Sequence, residues 1–174
     1  MMKASLICAT SLDGFIQADN SHSLDWSSRA DKNWFANETK RSGVVIMGST
    51  TFSSFNGSIL KDRYNVVMTR RPESFSEFEQ DKVWATALTP VEILEKLEQK
   101  GFTSADLIGG SVANRLFLEA NCIEDIWLSI TPYYFGAGIP LFDGTPKVEL
   151  NLIETRPLGT EEILVHLRIR SKSQ

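Results

Sequence analysis

The uninterrupted apolar run Val44–Met47 is the feature that most constrains the fold of this chain. A run without a polar side is typical of a central strand in a parallel sheet, because such a strand is covered on both faces. Gly48 and three hydroxyl residues follow at once and predict a turn into a short helix that ends near 56–57. Strand, turn and helix in this order predict an α/β fold.

The rest of the 174-residue chain alternates strand and helix patterns, as an α/β fold requires. Helices are predicted over 29–40, from Thr89 with Pro90 next, and over 112–120. The length and the absence of a linker predict one domain, 1–174, with helices on both faces of a largely parallel sheet. The remaining strands are predicted over 3–10, 65–69, 83–85, 105–108, 123–131, 147–155 and 162–170.

Charge and composition exclude several classes of protein. The net charge of −4 argues against a general nucleic-acid-binding protein, which is usually basic. No apolar run approaches the about 18 residues that a membrane helix needs, and the N-terminus lacks the pattern of a signal peptide. Cys8 and Cys122 lie in apolar surroundings, and His22 and His166 are isolated, so no metal site is predicted. We expect reduced cysteines and a cytoplasmic protein.

Three segments that follow predicted strands have the composition of phosphate-binding turns. Two glycines in 109–113 let the backbone approach a pyrophosphate at the start of a helix. Three hydroxyl residues in 48–51 begin another helix, and two arginines in 69–71 can hold a phosphate. Each segment has an ordinary alternative: a strand-to-helix turn, N-capping or solvated surface charge. The candidate cofactor-binding residues are Gly48, Ser49, Thr50, Thr51, Thr69, Arg70, Arg71, Gly109, Gly110, Ser111, Val112 and Ala113.

Asp31 is the candidate catalytic residue. It shares one face of the first predicted helix with Trp34 and Phe35, at the spacings i, i+3 and i+4. Beside two aromatic rings its carboxyl would be partly removed from water, which would raise its pKa and suit proton donation or hydrogen bonding to a heterocycle. The alternative is that Asp31, with Ser28 as the N-cap, only stabilises the first turn of the helix.

Five segments together resemble the dihydrofolate reductase superfamily in order and spacing, over almost the whole chain. They are Leu24-Asp25-Trp26, Ala30-Asp31-x-x-Trp34-Phe35, Val45-Ile46-Met47-Gly48, Leu60-x-x-Arg63-x-Asn65-Val66-Val67 and Ile108-Gly109-Gly110. The resemblance implies a three-layer α/β/α fold with a central, mostly parallel eight-stranded sheet, and NADPH as the cofactor. It also implies hydride transfer to the C=N bond of a pterin, or to an open-chain sugar imine in the related riboflavin-pathway reductase.

The resemblance also implies roles for residues. Asp31 would hold the substrate ring and assist its protonation, and Arg63 would bind an anionic tail of the substrate. Ala9 and Ile16 would contact the nicotinamide and join the candidate cofactor-binding residues. The candidate substrate-binding residues are Trp26, Trp34, Phe35, Arg63 and Ser129.

Two further motifs resemble the riboflavin-type branch of the superfamily, a reductase domain that is often fused to a pyrimidine deaminase. They are Ser-Leu-Asp-Gly-Phe-Ile at 11–16 and Thr-Pro-x-x-x-Gly-x-Gly-x-Pro-Leu-Phe at 131–142. The deaminase signature itself does not occur in the sequence, which predicts a stand-alone reductase domain.

The chain departs from dihydrofolate reductases at three positions. Asp25, Ser49 and Asn114 stand where a proline, a basic residue and a tyrosine are usual. The serine moves the expected phosphate contact to Arg70 or Arg71, and it leaves the preference between NADPH and NADH open.

We therefore expect an NADPH-dependent reductase of the riboflavin-biosynthesis type, similar to 5-amino-6-(5-phosphoribosylamino)uracil reductase, that acts on a small heterocyclic substrate. One alternative is a dihydrofolate reductase acting on 7,8-dihydrofolate, which Trp26, Asp31 and Arg63 keep open. Another is a non-catalytic NADPH-binding relative, which the departures keep open. The aromatic loop 132–144 and the related branch favour a homodimer.

Overall fold

Strands and helices alternate along most of the chain in the computed structural model, which describes residues 2–18, 26–55, 58–81, 83–144 and 147–170. Within these residues the strands are β1 (Ala4–Thr10), β2 (Phe15–Ala18), β3 (Val44–Gly48), β4 (Tyr64–Met68), β5 (Val83–Thr86), β6 (Asp106–Leu107), β7 (Ile123–Ile130), β8 (Gly138–Pro140), β9 (Leu150–Leu158) and β10 (Glu162–Ile169). The helices are α1 (Arg29–Ser42), α2 (Ser49–Ser54), α3 (Pro90–Gln99) and α4 (Ser111–Glu119), and a 3₁₀ helix spans Pro72–Asp81.

Eight of the strands form one sheet in the order β5-β4-β3-β6-β1-β7-β10-β9. The six strands from β5 to β7 in this order run parallel to one another. Strand β10 runs antiparallel to both β7 and β9. The predicted α/β fold with a central, mostly parallel eight-stranded sheet is confirmed. Because β1, β3, β4 and β6 are parallel, the segments that follow them meet at one edge of the sheet.

The run Val44–Met47 is a fully buried strand, as predicted. Each of its side chains has a relative exposure of 0%. Val44 and Ile46 belong to one hydrophobic cluster, and Val45 and Met47 belong to a second cluster. Since consecutive side chains of a strand point to opposite faces, the sheet is covered on both sides at β3.

Helix α1 begins at Arg29, as the sequence predicts, and ends at Ser42, two residues beyond the predicted end at 40. The Ser28 hydroxyl accepts a hydrogen bond from the Asp31 backbone N–H at 3.1 Å, which is the N-cap arrangement. Gly43 follows the helix with a φ of 75°, a left-handed conformation that favours glycine. The helix therefore holds Asp31 in its first turn, close to the edge of the sheet.

Four elements differ from the prediction. Strands β2 and β8 pair into a separate two-stranded sheet, although the sequence predicts a loop over 132–144 and no strand at 15–18, because both strands are short and lack an alternating apolar pattern. The 3₁₀ helix at Pro72–Asp81 was not predicted either. Strand β9 begins at Leu150 rather than at 147. It is exposed along nearly its whole length, so its alternating apolar and polar residues do not identify a buried face.

We expect the buried carboxyl of Asp106 to make the stability of the protein depend on pH. Its carboxyl is 5% exposed, accepts a 2.5 Å hydrogen bond from the Ser42 hydroxyl and lies near Glu38. Burial raises its pKa to about 7, so the stabilisation present below the unfolded pKa of 3.8 is lost as the pH rises towards 7. The unfolding free energy of Asp106→Asn should therefore rise, relative to that of the original protein, by about 4 kcal/mol between pH 4 and pH 8.

Chemical denaturation at the two pH values measures this difference. The exposed Glu95→Gln serves as the matched control and should show no such gain. A pH dependence of stability that is the same in Asp106→Asn and in the original protein would contradict the prediction.

Candidate active site

A cleft of about 1610 Å³ runs along the edge of the sheet where β1, β3, β4 and β6 end. Side chains and backbone from these strands, from α1 and from the starts of α2 and α4 line it. Most predicted site residues line this cleft: Ala9, Ile16, Trp26, Asp31, Phe35, Gly48, Ser49, Thr50, Thr51, Arg63, Thr69, Arg70, Gly109, Gly110, Ser111, Val112 and Ala113.

Three predicted site residues lie outside the lining of the cleft. Trp34 packs against Trp127, with the ring centroids 5.9 Å apart, because the face of α1 that meets the cleft passes through Asp31 and Phe35 and not through residue 34. Arg71 is exposed at the surface beyond Arg70. Ser129 is fully buried in β7, behind the cleft. Leu24 and Asp25 lie outside the described residues.

One end of the cleft is formed by backbone. Helix α4 begins after Gly110 and α2 begins after Gly48, and in neither case does a side chain cap the N-terminus. The Gly48 N–H donates to the Gly109 carbonyl at 2.9 Å, so the two turns lie side by side. A Cβ at Gly110 would lie 3.2 Å from the Thr51 hydroxyl oxygen, so a larger residue would require that hydroxyl to shift.

The Ser111 hydroxyl gives this end of the cleft a further polar group. Its oxygen is buried and has no hydrogen-bond partner within the described part of the chain. Buried hydroxyls are usually paired, so an unpaired one in a glycine-lined turn is suited to a bound ligand. The backbone N–H groups at the start of α4 make the same position favourable for an anion.

Asp31 lines the cleft and is 6% exposed. Burial raises the pKa of its carboxyl, and the negative charge of Glu162 adds to the rise. The hydroxyls of Ser27 and Ser129 act in the opposite direction and lower the pKa of Asp31. The Ser129 oxygen is buried and has no hydrogen bond of ordinary geometry to a described residue. The carboxyl is thus a partly desolvated acid that faces a cavity, which is the environment of a proton-handling group.

The buried guanidinium of Arg63 also lines the cleft and is held by protein oxygens. Its Nε donates to the Lys61 carbonyl at 3.0 Å, and one terminal nitrogen donates to the Thr39 hydroxyl at 2.7 Å. Burial lowers its pKa. No ion pair joins Arg63 to any other residue that the structure describes, so its charge remains available to an anion in the cleft.

The two-stranded sheet of β2 and β8 closes one side of the cleft, where Ile16 and Ile139 line it. The Asp13 carboxylate fastens this sheet by accepting hydrogen bonds from the N–H groups of Phe135, at 3.1 Å, and Gly136, at 2.8 Å. A hydrogen bond from the Ser11 hydroxyl, together with these two from the backbone, lowers the pKa of Asp13 against the effect of burial. The small sheet therefore depends on a connection between two loops that are distant in sequence.

Several residues that line the cleft were not predicted from the sequence. Among them are Cys8, Gln17, Phe55, Leu60 and Ile139. Burial raises the pKa of the Cys8 thiol to about 12, so it lines the cleft as an uncharged group. Of these residues, Leu60 lies in the segment that begins Leu60-x-x-Arg63 and Ile139 in the motif at 131–142, and both motifs indicated a family rather than a position in the site.

Within the described ranges, no helix is long and apolar enough to cross a membrane, and no three residues of the types His, Cys, Asp and Glu are grouped as metal ligands.

The sequence matches the model of the RibD C-terminal domain family over residues 4–164, and the chain belongs to this family. The resemblance to the riboflavin-type branch is therefore confirmed.

Three relatives illustrate the range of the similarity. The uncharacterized protein YwjB of Bacillus subtilis (strain 168) is 25% identical over 176 residues, which cover 95% of this chain and 98% of that protein. A putative riboflavin biosynthesis protein from Shewanella sp. PV-4 has a similar structure, with a TM-score of 0.80, 24% identity and coverage of 98% of this chain and 100% of that chain.

The third is the diaminohydroxyphosphoribosylaminopyrimidine deaminase/5-amino-6-(5-phosphoribosylamino)uracil reductase from Thermotoga maritima. It has a TM-score of 0.80 and 19% identity, and the match covers 97% of this chain and 57% of that chain. The present chain therefore spans little more than half of that protein, and the two share a fold.

Proposed function

We propose that the protein is an NADPH-dependent oxidoreductase of the riboflavin-biosynthesis type, which reduces the open-chain sugar imine of a phosphoribosylaminopyrimidine. One observation carries the proposal: a single cleft joins a glycine-lined, anion-favouring end to a buried acid with a raised pKa. Membership of the RibD C-terminal domain family supports it, as does the likeness in fold to a protein named as a uracil reductase.

The glycine-lined end fits a dinucleotide. The N-termini of α2 and α4 offer uncapped N–H groups, Gly110 leaves space for close approach, and the Ser111 hydroxyl lacks a partner among the described residues. Residues 48–51 and 109–113 would hold the pyrophosphate. Ala9 and Ile16 would contact the nicotinamide beside Asp31.

The other half of the cleft fits a flat, anionic substrate. Trp26 and Phe35 line it with aromatic surface, and the indole N–H of Trp26 is buried without a hydrogen-bond partner in the described chain. That N–H can donate to a carbonyl oxygen of a heterocycle. Arg63 can bind a phosphate or a carboxylate.

Two groups complete the reduction. When bound, NADPH supplies the hydride that reduces the C=N carbon of the substrate. Burial disfavours the charged form of the Asp31 carboxyl and raises its pKa, which suits this carboxyl to assist protonation of the nitrogen. Trp26 and Phe35 orient the ring and exclude water around this carboxyl.

Loss of NADPH absorbance with two substrates tests the proposal. We expect oxidation with 5-amino-6-(5-phosphoribosylamino)uracil and little with 7,8-dihydrofolate. The reverse result would favour dihydrofolate reduction, which the same acid and arginine support. Binding of NADPH without turnover of either substrate would favour the non-catalytic alternative.

Arg70 and Arg71 offer a matched pair for testing how the cofactor is chosen. Arg70 lines the cleft, whereas Arg71 lies outside its lining. Arg70→Ala should weaken NADPH binding by about tenfold and NADH binding by less than about twofold, because only NADPH carries the 2′-phosphate. Arg71→Ala should change neither. Fluorescence titration of both cofactors measures this, and an equal loss for both in Arg70→Ala would remove the 2′-phosphate assignment.

The proposed assembly is a homodimer. Apolar side chains are exposed on the last strands, with Leu152 at 63%, Ile163 at 52% and Ile153 at 49% exposure. A surface of this kind is often an interface between protein chains. Light scattering coupled to gel filtration should give twice the chain mass, and Leu152→Lys should reduce it. A monomeric mass at all concentrations would exclude this assembly.

A further inference from the structure

The first turn of α1 is anchored to the last strand of the sheet. Glu162, the first residue of β10, is 4% exposed. One of its carboxylate oxygens accepts a hydrogen bond from the Ser28 backbone N–H at 2.9 Å, and the other accepts one from the Ser28 hydroxyl at 2.5 Å. The same Ser28 hydroxyl accepts from the Asp31 N–H at 3.1 Å. A continuous chain of hydrogen bonds therefore leads from Glu162 to Asp31, which lines the cleft.

The turn between β9 and β10 makes a second contact with the same helix end. Gly159 has a φ of 66°, and a Cβ built on it would lie 2.9 Å from the Cβ of Ala30. The turn thus fits against the first turn of α1 without space for a side chain. Contact and hydrogen bonds together fix the N-terminus of α1 relative to β10.

We propose that Glu162 is a positioning residue of the reductase site: it holds Ser28 at the N-terminus of α1 and places a second negative charge behind the Asp31 carboxyl. The inference rests on the proposed function, because it assigns Glu162 a role in the acid chemistry of that site. It adds a residue that sequence motifs and the lining of the cleft do not indicate.

The groups around Asp31 define the electrostatic part of this role. Glu162 faces it from β10, Lys32 from its own helix and Cys8 from β1. Burial is the largest cause of the raised pKa of Asp31, and Glu162 raises it further, whereas Lys32 lowers it. The Cys8 thiol, with a pKa of about 12, carries no charge near neutral pH. Removal of the Glu162 charge should therefore let Asp31 lose its proton at lower pH.

The test is the carboxyl titration of Asp31, followed by NMR in the protein without cofactor or substrate. Asp31→Asn assigns the signal. In Glu162→Gln the titration midpoint should move to lower pH, and in Glu161→Gln, an exposed neighbour, it should not move. We also expect kcat at neutral pH to fall about three- to tenfold in Glu162→Gln, with KM changed less than about twofold. An unchanged midpoint in Glu162→Gln would overturn the proposal.

Two further variants keep the test decisive. Glu162→Asp retains the charge. The titration midpoint of Asp31 in Glu162→Asp should therefore lie closer to that of the original protein than the midpoint in Glu162→Gln does. Ser28→Ala breaks the hydrogen-bond chain but leaves the Glu162 charge, so kcat should fall while the midpoint does not move to lower pH. A lower midpoint in Ser28→Ala, equal to that in Glu162→Gln, would contradict the direct action of the charge.

The titration is independent of activity. If the protein binds no NADPH and reduces neither substrate, the proposed function fails, yet the NMR titration still decides whether Glu162 acts on Asp31.

Discussion

Replacing Asp31 by Asn should lower the rate of substrate reduction by about 10²- to 10³-fold while the protein remains folded. The carboxyl is buried in the cleft, and burial raises its pKa, so it can hold a proton in the range where an unburied aspartate cannot. An amide of the same shape keeps the hydrogen-bonding atoms but has no acidic proton. Steady-state rates with the substrate that the protein reduces measure the effect.

The proposed role of Asp31 also predicts how the reaction rate changes with pH. In the original protein the rate should fall as the pH rises through the pKa of Asp31, because the protonated form is lost. In Asp31→Asn the remaining rate should not show that fall. The raised pKa also means that ionised Asp31 opposes folding, so Asp31→Asn should unfold at the same temperature as the original protein at pH 8, or higher.

Glu124→Gln is a suitable control, since Glu124 is exposed on β7 and does not line the cleft. It should leave both rate and stability unchanged. Full activity in Asp31→Asn would assign Asp31 to the stabilisation of the α1 N-terminus alone.

Gly138→Ala should release the two-stranded sheet from the side of the cleft and reduce kcat/KM by about 100-fold. A Cβ at this position would lie 2.1 Å from the backbone carbonyl oxygen of Gln17, in the paired strand β2. A backbone atom of a paired strand cannot move aside as the end of a side chain can, so β2 and β8 must separate. Ile16 and Ile139 would then no longer close the cleft.

Hydrogen exchange locates this change directly. Peptides that cover 15–18 and 138–140 should lose protection in Gly138→Ala, whereas the strands of the eight-stranded sheet should keep it. The matched control is Gly144→Asn, because a Cβ at Gly144 meets no atom within 4 Å and asparagine tolerates its φ of 62°. Unchanged protection at Gln17 in Gly138→Ala would show that the pairing tolerates a side chain there.

The sequence was most informative where one physical requirement determines the pattern. Val44–Met47 is apolar throughout because both faces of β3 are covered, and Gly43 ends α1 because its backbone is left-handed. The turn at Gly109 and Gly110 was predicted as a phosphate-binding segment, and the structure places it at the carboxyl edge of the sheet beside Gly48. These features depend on local sequence or on burial alone.

Features that depend on long-range pairing were missed. Strands β2 and β8 exist because they pair with each other and because Asp13 joins the two loops, and neither segment alone shows a strand pattern. Helical spacing suggested that Trp34 faces the pocket, but Trp127 of β7 covers that side of α1. Residues separated by three positions lie about 60° apart around a helix. This difference in direction is enough for Asp31 to line the cleft while Trp34 does not.

The hydrogen bonds between Ser28 and Glu162 join residues 134 positions apart in the sequence. A ribosome therefore completes α1, β3 and the glycine turns well before it synthesises the strand that anchors the first turn of α1. Contacts this distant are made late in folding, because the closure of so long a loop costs entropy before any contact repays it. Until β10 is in place, Asp31 lacks the fixed position and the neighbouring charge that β10 supplies. The acid chemistry proposed for Asp31 would thus be a property of the completed sheet, and a nascent chain that has already formed most of the cleft would not yet possess it.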